Sequence, residues 1–495
     1  MDLIYQLKLY NLLQLTAYYN IHSRNTFLRQ ISVFSIVVFL FFFQGCKKLI
    51  EVDGPYTSTN AANVYLNDAT AAAVLTSIYT KISANNFSDV TFSSISLYSG
   101  LSADELTLLN LSNQNYLVYY RNMITSLNQG FWSEIYPLIF TTNSAIEGLT
   151  NSKSLSSSVK NQLIGEAKFM RAFCYFYLTN LYGDVPLSLS TDYSFNAVLP
   201  KASKDQVYQQ MINDLKEARE LLSSYYVNSD VVTITSERIR PNKWSAIALL
   251  ARVYLYNKDY VNAEIQSDSV IRNSNMYHLE NLENTFLKIS EETIWQLQPV
   301  KLGENTNEAI FFILPSGGPN ILLNPVYLSN SLIESFETGD GRKSKWIDSV
   351  MDGNTAYYYP YKYKISLLNS PVTEYKVVLR LSEQYLIRAE SRVKNGNVLG
   401  AIEDINKIRV RAGLPEILSN MQLNILIAIK HQRRVELFTE WGDRWLELKR
   451  TDDIDSVMNM EAIKKGGHWE ATDKLYPIIL SELKANPFLV QNAGY

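Results

Sequence analysis

The fold is decided by residues 165–187, GEAKFMRAFCYFYLTNLYGDVPL. Begun at Val159, this stretch sets Leu163, Ala167, Met170, Cys174, Tyr177, Leu178 and Leu181 at helical spacing. Gly183 then permits a backbone turn, Asp184 follows, and Pro186 forbids the helix to continue. The spacing predicts one long buried helix over 159–182 that ends in a sharp reversal.

Working outward, the same periodicity predicts helices over 61–81, 129–149 and 206–222. Two helical hairpins follow. The first is 243–256 with 261–271 across Asn257-Lys258-Asp259, and the second is 383–394 with 399–410 across Asn395-Gly396-Asn397. A late helix over 428–441 is expected to continue to Lys449. Repeated helix–turn–helix units with Ala at close contacts predict a mainly α fold, a tetratricopeptide-like superhelix of irregular period. Residues 275–380 interrupt it with β-like pieces at 292–300 and 375–381, Gly/Pro loops and a tyrosine cluster. This insertion reads as an irregular, loop-rich capping region packed on the scaffold. The segment 87–128 reads as loops with short helical pieces.

The first 45 residues are a leader. A thirteen-residue apolar run, Ile31 to Phe43, follows Arg24 and Arg29 and is closed by Gln44, Gly45 and Cys46. A membrane-spanning helix needs about 20 apolar residues. A short apolar core ending at a small residue and a cysteine instead describes a secretory signal with a lipidation site at Cys46. Residues 1–23 exceed what a signal requires, and an early start codon explains them. Residues 46–60, with Gly54-Pro55, form a polar tether, and residues 61–495 are one domain. The one other cysteine, Cys174, sits in an apolar helical stretch and reads as a buried thiol.

A net charge of −3 offers no basic surface for nucleic acid. The histidines beyond the leader, His278, His431 and His468, have no Cys or His at ligand spacing, so neither metal nor cofactor is expected. No nucleophile elbow, phosphate loop or dinucleotide glycine pattern occurs. Paired carboxylates exist at Asp104-Glu105 and Glu291-Glu292, but a glycosidase needs them opposed across a cleft. The sequence predicts no enzyme.

Several stretches, in order, resemble the SusD/RagB family of surface lipoproteins. They are Cys46-Lys47-Lys48-Leu49-Ile50-Glu51, the 165–172 stretch running to Tyr182-Gly183-Asp184-Val185-Pro186, and Ala248 to Leu255. Arg388-Ala389-Glu390, Asn406 to Leu414, Arg433-Arg434-Val435-Glu436-Leu437, Gly442-Asp443-Arg444-Trp445 and the C-terminal Asn486 to Tyr495 complete the set. Gln432 departs from the acidic residue common at its place, and Ile478-Ile479 lacks a proline. The resemblance implies a SusD-like helical scaffold held at the outer membrane by lipid and facing outward. It also implies a SusC-type TonB-dependent barrel as partner and an oligosaccharide, or sometimes a peptide, as ligand.

Arg171, Gly183, Asp184, Pro186, Arg434, Glu436 and Arg444 read as structural. Arg171 is expected beside Glu166 on one helix, and Arg433 beside Glu436 and Glu440 on another. The family's ligand contacts lie outside its shared motifs, so ligand candidates come from composition and loop position. Tyr faces can stack on sugar C–H groups while amides and carboxylates take hydroxyls. The candidates are Tyr357, Tyr358, Tyr359 and Tyr361 in the 357–363 cluster, Trp346, and Asp104, Asn115 and Tyr116 in the 98–120 segment. Two functions stay open: capture of an oligosaccharide (or peptide) for a transporter, and an adhesive surface protein that binds another protein.

Overall fold

The computed structural model describes residues 61–495 apart from Gln129, Ser419 and Asn420. The leader, Cys46 and the 46–60 tether lie outside the described residues. Residues 64–495 pack as one unit.

Its backbone is a row of helices, each packed on the next: Trp132–Asn151, Ser157–Tyr182, Lys204–Leu221, Lys243–Tyr256, Tyr260–Ile271, Leu381–Lys394, Val398–Arg411 and Gln422–Glu436. The Ser157–Tyr182 helix is buried along almost all of its second half. Its Phe173 ring meets Trp295 at 5.3 Å and Trp441 at 5.4 Å, both edge-on. One helix thus joins the scaffold, the insertion and the late turn in a single aromatic core, where such contacts add about 0.5–1.5 kcal/mol each beyond area burial. Gly183 ends it at φ +78°, its N–H donating to the Thr179 carbonyl. Asp184 accepts the Lys204 N–H at 2.8 Å, satisfying an orphan donor of the next helix. The carbonyl of Pro186 takes the Tyr136 hydroxyl at 2.9 Å.

The β-like pieces of the insertion pair with each other. Thr293–Leu297 runs antiparallel to Lys376–Arg380, both fully buried, so the insertion leaves and rejoins the scaffold at one place. That closure lets Tyr260–Ile271 pack directly on Leu381–Lys394 despite the residues between them. A hairpin, Ile347–Asp352 with Thr355–Pro360, carries the tyrosine run. The 87–128 segment holds the helices Ile95–Ser102 and Gln114–Tyr120 and the strand Leu106–Leu108, which pairs with Val326–Leu328. The C-terminus docks on the body: Asn492 Nδ2 donates to the carbonyls of Tyr182 and Tyr476 at 2.8 and 2.9 Å.

Three local expectations need correction. The first helix runs Asp68–Ala84 because Asn67 caps it, accepting the Thr70 N–H at 2.9 Å. The late helix does not run on to Lys449. It ends at Glu436, and a turn with positive φ at Thr439, Trp441 and Gly442 separates it from Asp443–Arg450. Finally, Glu166 and Arg171 do not pair. Five residues place them about 140° apart around a helix. Arg171 forks onto Asp214 at 2.8 and 2.7 Å and reaches Asn143 at 3.0 Å. Glu166 takes Arg240 at 2.6 Å and the Tyr79 hydroxyl at 2.9 Å.

Candidate functional site

The helix ends and the insertion are tied together by buried ionic clusters. Glu436 accepts from Arg342 at 3.0 Å, from Arg380 at 2.6 Å and from Arg411. Burial alone would raise its pKa, but the three guanidiniums hold the carboxyl well below the usual range. Gln432, the departure noted in the sequence, accepts from the same Arg342 at 2.8 Å, so the neutral amide serves where a further charge would crowd Glu436. Arg433 pairs not with Glu436 but with Asp443 at 2.6 Å and Glu447 at 3.1 Å.

A second cluster stands beside a cleft of about 620 Å³. Asp104 is buried and takes Arg444 on both oxygens at 2.7 and 2.8 Å, with Arg434 at 2.7 Å. Burial opposes its charge, yet Arg444, Arg434 and Lys465 keep its carboxyl below the usual carboxylate range. Arg434 also donates to Ser331 at 2.9 Å. Ser329 caps the short helix that follows and donates to the Asp104 carbonyl at 2.5 Å. The antiparallel register sets Tyr327 opposite Thr107. These contacts fix one wall of the cleft.

The cleft mouth is aromatic and polar. Tyr327 is half-buried and meets Tyr357 edge-on at 5.0 Å. Tyr120 lines the cleft, with the Lys465 ammonium 4.9 Å from its ring. Burial raises the Tyr120 hydroxyl to about 12, so it stays a neutral donor. The exposed side chains of Asn330 and Glu334 have no hydrogen-bond partner among the described residues. The charges that line the cleft are otherwise spoken for. Lys464 pairs with Glu461 at 2.7 Å, and Lys465 donates to backbone carbonyls, including that of Leu101 at 2.6 Å. What is left to meet a ligand is a tyrosine surface with amide, carboxylate and hydroxyl groups at its edge.

The structure distributes the sequence candidates unevenly. Trp346 is fully buried, donates to the Leu282 carbonyl at 2.8 Å and packs on Phe286. It belongs to the core and offers no face to a ligand. Tyr116 is also buried, its ring tilted against Tyr98 and its hydroxyl on the Ser88 carbonyl at 3.2 Å. Asp104 stands in the cleft wall with its oxygens committed. Asn115 is exposed at the start of its helix. Strand alternation divides the tyrosine run. Tyr358 packs toward the core, Tyr359 is buried against Asp348 and Tyr361, and Tyr357 reaches the cleft through Tyr327. Tyr327, Asn330 and Glu334 were not among the candidates. Their one signal is a tyrosine in a short apolar run directly before a Ser-Asn helix cap, a pattern too common to single out.

A row of helical hairpins that carries a loop-built, tyrosine-edged polar cleft defines a helical-repeat scaffold protein. Among the described residues no helix is long and apolar enough to cross a membrane. The SusD family model matches residues 190–495, and a model described as starch-binding, associating with outer membrane, matches residues 57–255. The chain belongs to the SusD family. A SusD-like protein from Bacteroides ovatus is 26% identical over 388 residues, covering 68% of each chain. A SusD superfamily crystal structure from Bacteroides vulgatus aligns with TM-score 0.73 at 21% identity, covering 87% of this chain and all of that one. A structure described as a laminarin-binding SusD-like protein aligns with TM-score 0.72 at 22% identity, again over 87% of this chain and all of that one.

Proposed function

We propose that this chain is an outer-membrane lipoprotein, anchored through Cys46 and facing outward, that captures an uncharged oligosaccharide in the cleft beside Asp104. It hands that ligand to a SusC-type TonB-dependent barrel. The observation that carries the reading is the cleft lining: Tyr327, its ring edge-on to Tyr357, presents aromatic surface while Asn330 and Glu334 stand unpaired beside it. A sugar needs both, an apolar face for its C–H groups and fixed partners for its hydroxyls. Lys464 and Arg434 at the cleft are paired with Glu461 and Asp104, and Glu334 adds an unpaired negative charge, which favours an uncharged sugar over an anionic one. The laminarin-binding neighbour and the family's starch-binding description support the same class of ligand.

The role is binding rather than catalysis. Asp104 and Glu105 are neighbours in one strap and buried, not opposed across the cleft. The test is binding of the full chain to a panel of neutral and anionic glycans that includes laminarin. Saturable binding to a neutral glycan, lost in Tyr327→Ala, supports the reading. Preference for an anionic glycan contradicts the charge argument, and binding of peptides alone shifts the ligand class.

A further inference from the structure

Glu105 differs from every other acid in this region. It is fully buried, yet no Lys or Arg nitrogen lies within 4.0 Å of it among the described residues. Among the described residues its carboxyl accepts only the Thr439 N–H, at 3.3 and 3.4 Å. Charge-assisted hydrogen bonds run at about 2.7–2.9 Å. The surrounding cations serve other acceptors. Arg434 and Arg444 are held by Asp104. Lys362 donates to the carbonyls of Glu436 and Phe438 and to Glu440. On the remaining side the Ile95–Ser102 helix brings Gly100 against the carboxyl, where a Cβ would sit 3.5 Å from Oε2. An ionised carboxylate in such a place is costly without a partner.

Glu105 also joins two features of the backbone to the cleft. Its carbonyl accepts the Ser329 N–H at 2.9 Å, and Leu106 beside it pairs with Leu328. Its side chain meets the turn where Thr439 has φ +54° and Trp441 φ +49°. A β-branched residue at positive φ is strained and needs its surroundings to hold it.

We propose that Glu105 is a proton-linked latch for the cleft described above: protonated, it lets the 104–108 strap and the 439–442 turn close on each other behind the cleft wall, and its ionisation loosens both. The inference rests on the proposed function only for what the cleft binds. Burial first, and then Asp104, push this acid up to about 8, against the pull of Arg444, the Thr439 bond and Lys362. Arg434 is the other charge that faces it. The sign follows from linkage. A carboxyl raised from 4.5 to about 8 contributes stability that is full below about pH 4.5 and is lost progressively as pH rises to about 8. Lys465 and Lys362, lowered by burial to about 7 and about 8, act with the opposite sign at higher pH. The comparison therefore belongs below pH 7 and against a Glu105 variant.

The experiment is amide hydrogen exchange on the full chain between pH 5 and 7, corrected for intrinsic rates, read at Leu106–Leu108 and Val326–Leu328. If opening exposes Glu105, its equilibrium constant rises about tenfold per pH unit in the native protein. In Glu105→Gln it is independent of pH. The same slope in both proteins overturns the latch. If the variant does not fold, the native protein decides alone, because a flat profile at both strands overturns the proposal. The two readings separate cleanly. A sloped profile with no glycan bound at pH 6.5 upholds the latch and counts against glycan capture. A flat profile with glycan bound does the reverse.

Discussion

Asp104 and Arg444 stand 340 positions apart in the sequence and meet in a two-pronged contact, Nε on Oδ1 at 2.7 Å and Nη2 on Oδ2 at 2.8 Å. With Arg434 on the same carboxylate, this contact ties the strap before Leu106–Leu108 to the helices Gln422–Glu436 and Asp443–Arg450. A residue that lines the cleft is therefore held by two arginines of the scaffold. Removing Asp104 leaves Arg444 without its carboxylate and Arg434 with only the Ser331 hydroxyl. Asp104→Ala is expected to cost about 3–5 kcal/mol, the usual result of breaking a buried pair. Chemical denaturation measures it. A loss under 1 kcal/mol would mean that the pair is hydrated and dispensable.

Trp346 gives a sharp test of core against platform. Trp346→Ala empties a buried indole site beside Phe286 and Lys362 and should cost about 3–5 kcal/mol. Thermal unfolding should report that loss. A variant with unchanged stability and lost glycan binding would return Trp346 to the ligand site.

Gly183 should tolerate no side chain. At φ +78° an L-residue costs about 1–2 kcal/mol, and a Cβ would meet Leu475 Cδ1 at 3.1 Å. Gly183→Ala is expected to lower stability by about that amount while glycan affinity holds. Asp184→Ala, which frees the Lys204 N–H, should cost about 1 kcal/mol by the same measurement.

Acid should unfold the protein through its arginine-bound carboxylates. Asp104 and Glu436 have lowered pKa values, so the stability they contribute is present above the unfolded values and is lost as pH falls through the folded ones. Stability should decline below about pH 4 and less steeply in Asp104→Asn. An equal decline in both proteins would assign acid sensitivity elsewhere.

Much of the scaffold was legible because it rests on local signals. The 159–182 periodicity, Gly183 and Pro186 specify a helix and its end without reference to any distant residue. The strand pair Thr293–Leu297 with Lys376–Arg380 was visible as two apolar runs, though not that they pair. The late-helix break at Thr439 was not legible, because β-branched Thr and bulky Trp at positive φ are set by tertiary contacts such as Trp441 N–H on Ser96 at 3.1 Å. The same limit governs the site. Strand alternation was readable in the tyrosine run, but which face meets solvent depends on Tyr327, carried in from another strand. Asp104 was picked out for its chemistry, and the structure places it at the cleft with its charge already spent on arginines. Trp346 stands out in the sequence by its type and its expected place in a loop, and its burial assigns it to the core.

The central claim is that the Tyr327–Tyr357 edge captures a neutral glycan. The measurement that tests it most directly is calorimetric titration of the best neutral glycan from the panel into the native chain and into Tyr327→Ala, with unfolding temperatures recorded for both. Loss of one stacking face should remove about 1.5–3 kcal/mol of apolar contact, a fall in affinity of roughly tenfold or more, with the variant still folded. Equal affinity in the two proteins would contradict the account and move the ligand away from this cleft.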